Sequence, residues 1–265
     1  MIHTPPHTVR TTPQVHTPAM LRLWPYRLAG LASLQFVLLT ALAMRSYPGG
    51  TNVDHLARGY SFLHNFFSDL GLSVAHNGQP NTVSATLFVI ALVSIGLSLV
   101  GFALTLPQLF RGHVPLYRLS LAGSIFGVVA GLAYVGIACT PANLLLTWHM
   151  RFVQTAFRTF LVLVLCYGLA TWRHPAYPRR YAVGWLAFAV LLAGYVWLLI
   201  AGPSARTPEG LLIQAAGQKI IVYASIGCVW WQCRGALQLA TALTRPVAPA
   251  TRSAPADAMP RALTS

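Results

Sequence analysis

Acidic residues are nearly absent from this chain, which holds four among its 265 residues: Asp54, Asp69, Glu209 and Asp257. Lysine is rarer still, because Lys219 is the only one, and charged residues together make up 8% of the chain. Soluble domains carry about 25% charged residues. This shortage, together with a mean hydropathy of +0.59, argues against a soluble protein and indicates that lipid is the solvent of most of the chain.

Motifs that hold metals or disulfides are also missing. The four cysteines lie in or at the ends of apolar runs and form no CxxC pair, so neither a disulfide framework nor a zinc ribbon is indicated. No HExxH motif, the helical signature of zinc proteases, occurs in the chain. The cysteines are therefore expected to be small apolar side chains of a helix bundle.

Arginine is the one charged residue that is plentiful, and it gives the chain a formal net charge of +14. A basic patch on a soluble face would suggest nucleic-acid binding. Here the arginines stand between long apolar runs instead, so no nucleic-acid partner is predicted.

Six apolar runs predict an all-α, polytopic membrane protein with six transmembrane helices. Each run is close to the roughly 20 residues that cross a bilayer, and in lipid a helix satisfies its own backbone. The predicted spans within the bundle 21–243 are Leu28–Met44, Thr82–Leu106, Arg118–Cys139, His149–Thr171, Ala182–Ala201 and Leu212–Cys233. Residues 1–20 and 244–265 have no apolar period and are predicted to be disordered cytoplasmic tails.

The distribution of arginine predicts the orientation of the bundle. With the N-terminus inside, the inner segments carry Arg10, Arg22, Arg27, Arg111, Arg118, Arg173, Arg179, Arg180, Arg234, Arg245, Arg252 and Arg261, whereas the outer ones carry Arg45, Arg58, Arg151 and Arg206. The positive-inside rule then places both termini in the cytoplasm and the protein in the inner (plasma) membrane. An alternative is a signal peptide cleaved after Ala41-Leu42-Ala43, which leaves the orientation of the later spans unchanged.

The connection after the first span holds the most unusual segment, Tyr60–Gly71, which reads YSFLHNFFSDLG. In the same connection, residues 54–68 are predicted to form a short interfacial helix, capped by Asn52 or Asp54 and ended by Gly71 in a left-handed turn. Its polar face consists of Ser61, His64, Asn65 and Ser68.

Polar residues of the fourth and sixth spans are predicted to lie at the same depth as this segment. His149 and Arg151 open the fourth span, and Arg158 lies about 10 Å deeper. Gln218 and Lys219 occupy the outer half of the sixth span. A charge inside a span is costly and marks a function or a buried pair, so Arg158 and Lys219 are expected to point into the bundle.

Together these residues form the candidate ligand-binding site at the outer face: His64, Asn65, Ser68, Asp69, His149, Arg151, Arg158, Gln218 and Lys219. Basic groups outnumber acidic ones among them, so we expect a net-basic pocket that binds an anionic lipid headgroup or a small anion. Membrane lipids are the predicted partners.

Two alternatives stay open. In the first, His64, Asp69 and His149 bind zinc, and a metal-bound water hydrolyses a membrane lipid; His64 and Asp69 are about 140° apart on a regular helix, which disfavours a shared ion. In the second, Asp69 neutralises Arg158 or Lys219 in a purely structural ion-pair network. No cofactor is predicted apart from the zinc of the first alternative.

Gly123, Gly127 and Gly131 form a flat face on the third span, because small residues four apart let a neighbouring backbone approach closely. This face is expected to pack inside the bundle or to form a homo-oligomer, and the sequence does not separate the two.

Ser68-Asp69-Leu70-Gly71 after the first span and His149 at the start of the fourth resemble a bacterial membrane family, domain of unknown function 998. The Ser-Asp-x-Gly element is also similar, more distantly, to FRAG1/DRAM-type six-span proteins of eukaryotes. The resemblance implies a six-helix bundle and no established activity. The acidic residues that the resemblance leads us to expect in the outer connection after the third span are absent, and Thr140-Pro141-Ala142-Asn143 stands there instead.

Overall fold

The fold is described by a computed structural model that covers residues 23–244. Six long helices account for most of this range, with no β-strand in it: α1 (Trp24–Ser46), α2 (Thr82–Thr105), α3 (Val114–Ala138), α4 (Ala142–Arg173), α5 (Arg179–Ala201) and α6 (Pro208–Thr244). Each is long and apolar enough to cross a membrane. The predicted all-α, six-span class is confirmed, and the chain is a multi-pass membrane protein. Of the two predicted tails, only Thr244 lies within the described residues.

Two helices are longer than a bilayer requires. Helix α6 has 37 residues, so at 1.5 Å per residue it is about 55 Å long, against about 30 Å of hydrocarbon. Helix α4 begins at Ala142 rather than at the predicted His149, and its first turn is bent at Leu145, where φ is −131° and ψ is 44°. Both helices therefore extend past the lipid core.

The helices form a closed ring, in which each packs against the next and α6 packs back against α1. Successive helices are neighbours that run in opposite directions. The connections 47–81, 139–141 and 202–207 therefore meet at one end of the bundle, here called the cavity end. Connections 106–113 and 174–178 lie at the opposite end.

The glycine face of α3 packs inside this ring. A Cβ atom added to Gly127 would lie 2.7 Å from Ala103 Cβ on α2, and one added to Gly131 would lie 2.6 Å from the carbonyl oxygen of Gly96. Gly123 faces Cys166 and Tyr167 of α4. The small residues thus let α3 fit closely between α2 and α4, and a homo-oligomer would need another surface.

The prediction of a helix over residues 54–68 is wrong. This stretch forms turns and bends as far as Phe66, and Arg58 makes an isolated β-bridge with Gly49. Gly59 interrupts it with a φ of +62°, a left-handed conformation that glycine adopts readily. The short helix between the first two spans is a five-residue 3-10 helix, Phe67–Gly71.

The predicted caps of that helix have other partners. Asn52 donates from Nδ2 to the carbonyl oxygen of Ala205 at 2.9 Å, and Asp54 Oδ1 accepts from the backbone N–H of Leu56 at 2.9 Å in an Asx turn. Gly71 does not adopt a positive φ. Glycine is needed there because a Cβ atom would lie 2.7 Å from the Phe88 ring.

Candidate ligand cavity

A cavity of about 790 Å³ opens at the cavity end, between the connection 47–81 and helices α4, α5 and α6. The 3-10 helix Phe67–Gly71 packs against α1, α2, α4 and α6 and contributes Ser68 and Asp69 to the lining. Two hydrogen bonds tie the connection to α4: Asn143 Nδ2 donates to Ser73 Oγ at 2.8 Å, and Ser73 N–H donates to Asn143 Oδ1 at 3.2 Å. The polar residues that line the cavity include Ser68, Asp69, His76, Asn143, His149, Arg206, Gln214 and Gln218.

Asp69 supplies a buried carboxylate to the cavity wall, with 6% of the residue exposed. Its Oδ2 accepts two hydrogen bonds of 2.9 Å, from Asn65 Nδ2 and from the backbone N–H of Phe66. Its Oδ1 lies 3.5 Å from His76 Nε2, and no hydrogen-bond donor within residues 23–244 reaches it. One carboxylate oxygen is thus saturated by the protein, while the other stays available to a ligand.

Lys219 holds the opposite side of this segment and does not line the cavity. The residue is 2% exposed, and its Nζ donates to the carbonyl oxygen of Asn65. The ammonium group also lies 5.2 to 5.6 Å from the ring centroids of Tyr60, Phe62 and Phe67, a distance at which aromatic faces attract cations.

The rings of Tyr60, Phe62 and Phe67 form an aromatic cage around Lys219. Asn65 and Gln218 connect this cage to the cavity. The Asn65 side chain donates to the carbonyl oxygen of Gly50 and to Asp69, each at 2.9 Å, and accepts from Ser61 N–H at the same distance. Gln218 Oε1 accepts from the backbone N–H of Phe67 at 2.7 Å. These bonds fix the Asp69 carboxylate against α6.

His149 is 3% exposed and lines the cavity from α4. Its Nδ1 lies 2.7 Å from the carbonyl oxygen of Thr140. A carbonyl oxygen only accepts hydrogen bonds, so Nδ1 carries the proton and the Nε2 of the neutral ring keeps its lone pair. Within the described part of the chain Nε2 has no hydrogen-bond partner, so it is a second acceptor available to a ligand.

Tyr47 and Arg206 complete the surroundings of the cavity. Burial raises the pKa of the Tyr47 phenol to about 12, so the hydroxyl is protonated at neutral pH. Its oxygen accepts from the backbone N–H of His76 at 3.2 Å. Arg206 lies exposed in the connection 202–207 and lines the rim.

Two arginines predicted for the site lie elsewhere. Arg151 and Arg158 are exposed on the outer surface of α4, and the Arg151 guanidinium stacks 4.8 Å above the Trp148 ring. They share a face with Thr155, as their spacing predicts, but the opposite face, with Val153 and Phe157, turns inward. The prediction that Arg158 points into the bundle is wrong, whereas Lys219 is buried.

The charge of the lining differs from the expected net-basic pocket. Asp69 and Arg206 are its two charged side chains, and His76 and His149 add no charge in their neutral forms. The predicted contact of Asp69 with Arg158 or Lys219 is replaced by the Asp69–His76 pair. Lys219 reaches Asp69 only through Asn65.

His64 lies outside the cavity lining, and its Nδ1 is 3.2 Å from Ser61 Oγ. The proposed ligand set of His64, Asp69 and His149 is therefore not brought together. Across residues 23–244 no group of three His, Cys, Asp or Glu side chains is placed to hold a metal ion.

His76, Asn143 and Arg206 are among the polar cavity residues that are missing from the predicted site. Each lies in or next to a predicted outer connection, so the topology contained a signal for them. His76 follows Asp69 by seven residues in a turn closed by the left-handed Gly78. Its position beside Asp69 depends on how that turn folds back.

The chain was compared with protein-family models, curated proteins and solved structures, and no match was found. The resemblance to domain of unknown function 998 stays a prediction that rests on Ser68 to Gly71 and His149.

Proposed function

We propose that this membrane protein binds a phospholipid headgroup in its cavity, with a cationic amine of the headgroup at Asp69 and the phosphate at Arg206. The observation that carries the proposal is the buried Asp69 carboxylate, which lines a cavity of about 790 Å³ and whose Oδ1, unlike Oδ2, accepts no hydrogen bond within residues 23–244. A buried charge needs a charged or hydrogen-bonding partner. A ligand ammonium group supplies one.

The inner end of the cavity favours a ligand that carries hydrogen-bond donors. Asp69 Oδ1 and His149 Nε2 are both acceptors, and both residues are buried. Three N–H donors on one nitrogen, as in a primary ammonium, can serve two such acceptors at once. The inner end of the site therefore fits an amine rather than an anion.

The rim favours the anionic part of the same ligand. Arg206 is exposed there, and a guanidinium binds phosphate through two parallel N–H bonds. This revises the expectation of an anionic headgroup held by Arg151, Arg158 and Lys219, because a ligand in the cavity meets one arginine at its outer end and a carboxylate at its inner end.

One wall of the cavity supports a lipid rather than a soluble phosphoamine. Leu146 and Met150 line the cavity and are also exposed on the bundle surface, at 59% and 37% of their areas. Val153 and Leu199 continue this apolar wall. An acyl chain can leave the cavity over these side chains into the surrounding lipid.

The metal-dependent hydrolase has no support from the geometry, because His64 does not line the cavity. The structural alternative has partial support, since Lys219, Asn65 and Asp69 form one network that binds the connection to α6. That network uses Asp69 Oδ2 and leaves Oδ1 unexplained.

Titration of the detergent-purified protein tests the proposal. Dihexanoyl phosphatidylethanolamine should bind, whereas dihexanoyl phosphatidylglycerol and free phosphoethanolamine should each bind at least about tenfold more weakly. Asp69→Asn should weaken binding of the first lipid by about tenfold or more, since it removes the charge of the acceptor.

Asp54→Asn is the matched control, because Asp54 is exposed and bonds within its own turn; it should bind like the wild type. Equal affinity for all three probes, or an unchanged affinity of a folded Asp69→Asn variant, contradicts the proposal.

We also propose, from the arginine bias, that the cavity faces the outside of the plasma membrane. Cys139 is exposed and lies at the cavity end. A membrane-impermeant maleimide should label it in intact cells, and Cys139→Ser should abolish that labelling. If Cys139 were labelled only after cell lysis, the cavity would face the cytoplasm and the proposed orientation would be contradicted.

A further inference from the structure

His76 has a buried ring nitrogen that the headgroup site does not explain. Its Nε2 has no hydrogen-bond partner within the described chain. It lies 3.5 Å from Asp69 Oδ1, the oxygen left open for a ligand. This distance is too long for a good N–H···O bond but within the range of an ion pair. The two side chains are thus placed to attract each other strongly only when the imidazole is charged.

We propose that His76 regulates the headgroup site by protonation: the imidazolium pairs with Asp69 Oδ1 and displaces the ligand's ammonium group. The inference rests on the proposed function, because it concerns the same carboxylate oxygen. The imidazole ring takes up a proton from solution, and the ligand dissociates together with its ammonium group. Acid favours the charged form of an imidazole, so lowering the pH should release the ligand.

The groups around His76 are consistent with this role. Those that titrate or carry charge, from its own connection, the 3-10 helix, α4 and the connection 202–207, are Tyr47, His55, Asp69, His149 and Arg206. The pKa of Tyr47 is raised to about 12 by burial, so its hydroxyl stays neutral. Asp69 is the one acid in this set, and therefore the acceptor that a protonated His76 meets.

His55 and His149 are the other groups in this set that can gain a proton. His55 Nδ1 lies 2.7 Å from the carbonyl oxygen of His76, and the two rings are 6.3 Å apart. Two protonated rings at this distance would repel each other. Protonation of His55 therefore disfavours protonation of His76 and does not take over its role. His149 lines the same cavity, and a proton on its Nε2 would remove an acceptor for the ligand. The test must separate His149 from His76.

Affinity for dihexanoyl phosphatidylethanolamine, measured at about pH 8 and about pH 5.5 across the histidine range, tests the inference. The wild type should bind about tenfold or more weakly at the lower pH. His76→Gln keeps a side-chain N–H near Asp69 without a titratable charge, so its affinity should change by less than about threefold.

His64→Gln is the control variant, because His64 lies in the same connection but outside the cavity lining; it should behave like the wild type. His149→Gln should bind less well at pH 8 and still lose affinity in acid.

A full pH dependence in His76→Gln, or its loss in His149→Gln alone, overturns the inference. Equal wild-type binding at both pH values overturns it while leaving the proposed function standing. No binding at pH 8 overturns both.

Discussion

At the scale of single residues, the rarity of a residue type predicted the buried polar positions better than helical periodicity did. Asp69 is one of four acids and Lys219 the only lysine, and both are buried with specific partners. Arg158 was placed wrongly because spacing shows which residues share a helix face, not which face turns inward. That choice depends on the packing of α4 against its neighbours.

Lys219 should be protected from amine-reactive reagents in the folded protein. Its Nζ is enclosed by the rings of Tyr60, Phe62 and Phe67 and donates to Asn65, so modification requires local opening. Peptide mass spectrometry after treatment with an N-hydroxysuccinimide ester should show at least about tenfold slower reaction than in denatured protein.

Phe62→Ala removes a half-exposed ring of this cage and should speed the reaction of Lys219. Leu63→Ala, at a similarly exposed neighbour, should not. Equal reactivity in folded and denatured protein would contradict the buried cage.

At the scale of elements, the six helices were predictable because hydropathy is a local property. The connection 47–81 was not, because distant contacts organise it. Asn52 bonds to Ala205, and Phe67 to Gln218. An amphipathic pattern across 54–68 could not reveal these partners, and Gly59 was the local sign against a helix.

Close packing of α3 on α2 depends on glycine. Gly131→Ala should lower the free energy of unfolding by about 1–3 kcal/mol, because the added methyl meets the carbonyl oxygen of Gly96. The comparison is Gly194→Ala on α5, where a Cβ atom has open space and helix propensity should improve by up to about 1 kcal/mol. Unfolding in mixed detergent micelles measures both; an equal effect of the two substitutions would argue against this packing.

At the scale of the whole molecule, the ring of six helices creates the cavity by bringing three connections to one end. Sequence predicted that polar residues gather at that end, and Ser68, Asp69, His149 and Gln218 do line one cavity. It could not predict that His76 and Arg206 join them. Their positions follow from loop backbones, which no hydropathy pattern describes.

The central claim is that the headgroup amine contacts Asp69, and its most direct test is a distance measurement by solid-state NMR. The chain contains three aspartates, Asp54, Asp69 and Asp257, so ¹³C-labelled aspartate gives few carboxylate signals. With ¹⁵N-labelled phosphatidylethanolamine, rotational-echo double resonance should place the lipid nitrogen within about 4 Å of one aspartate Cγ, the range of an ion pair. The dephasing should persist in Asp54→Asn and vanish in Asp69→Asn. Dephasing that is absent in the wild type, or that survives in Asp69→Asn, would contradict the account.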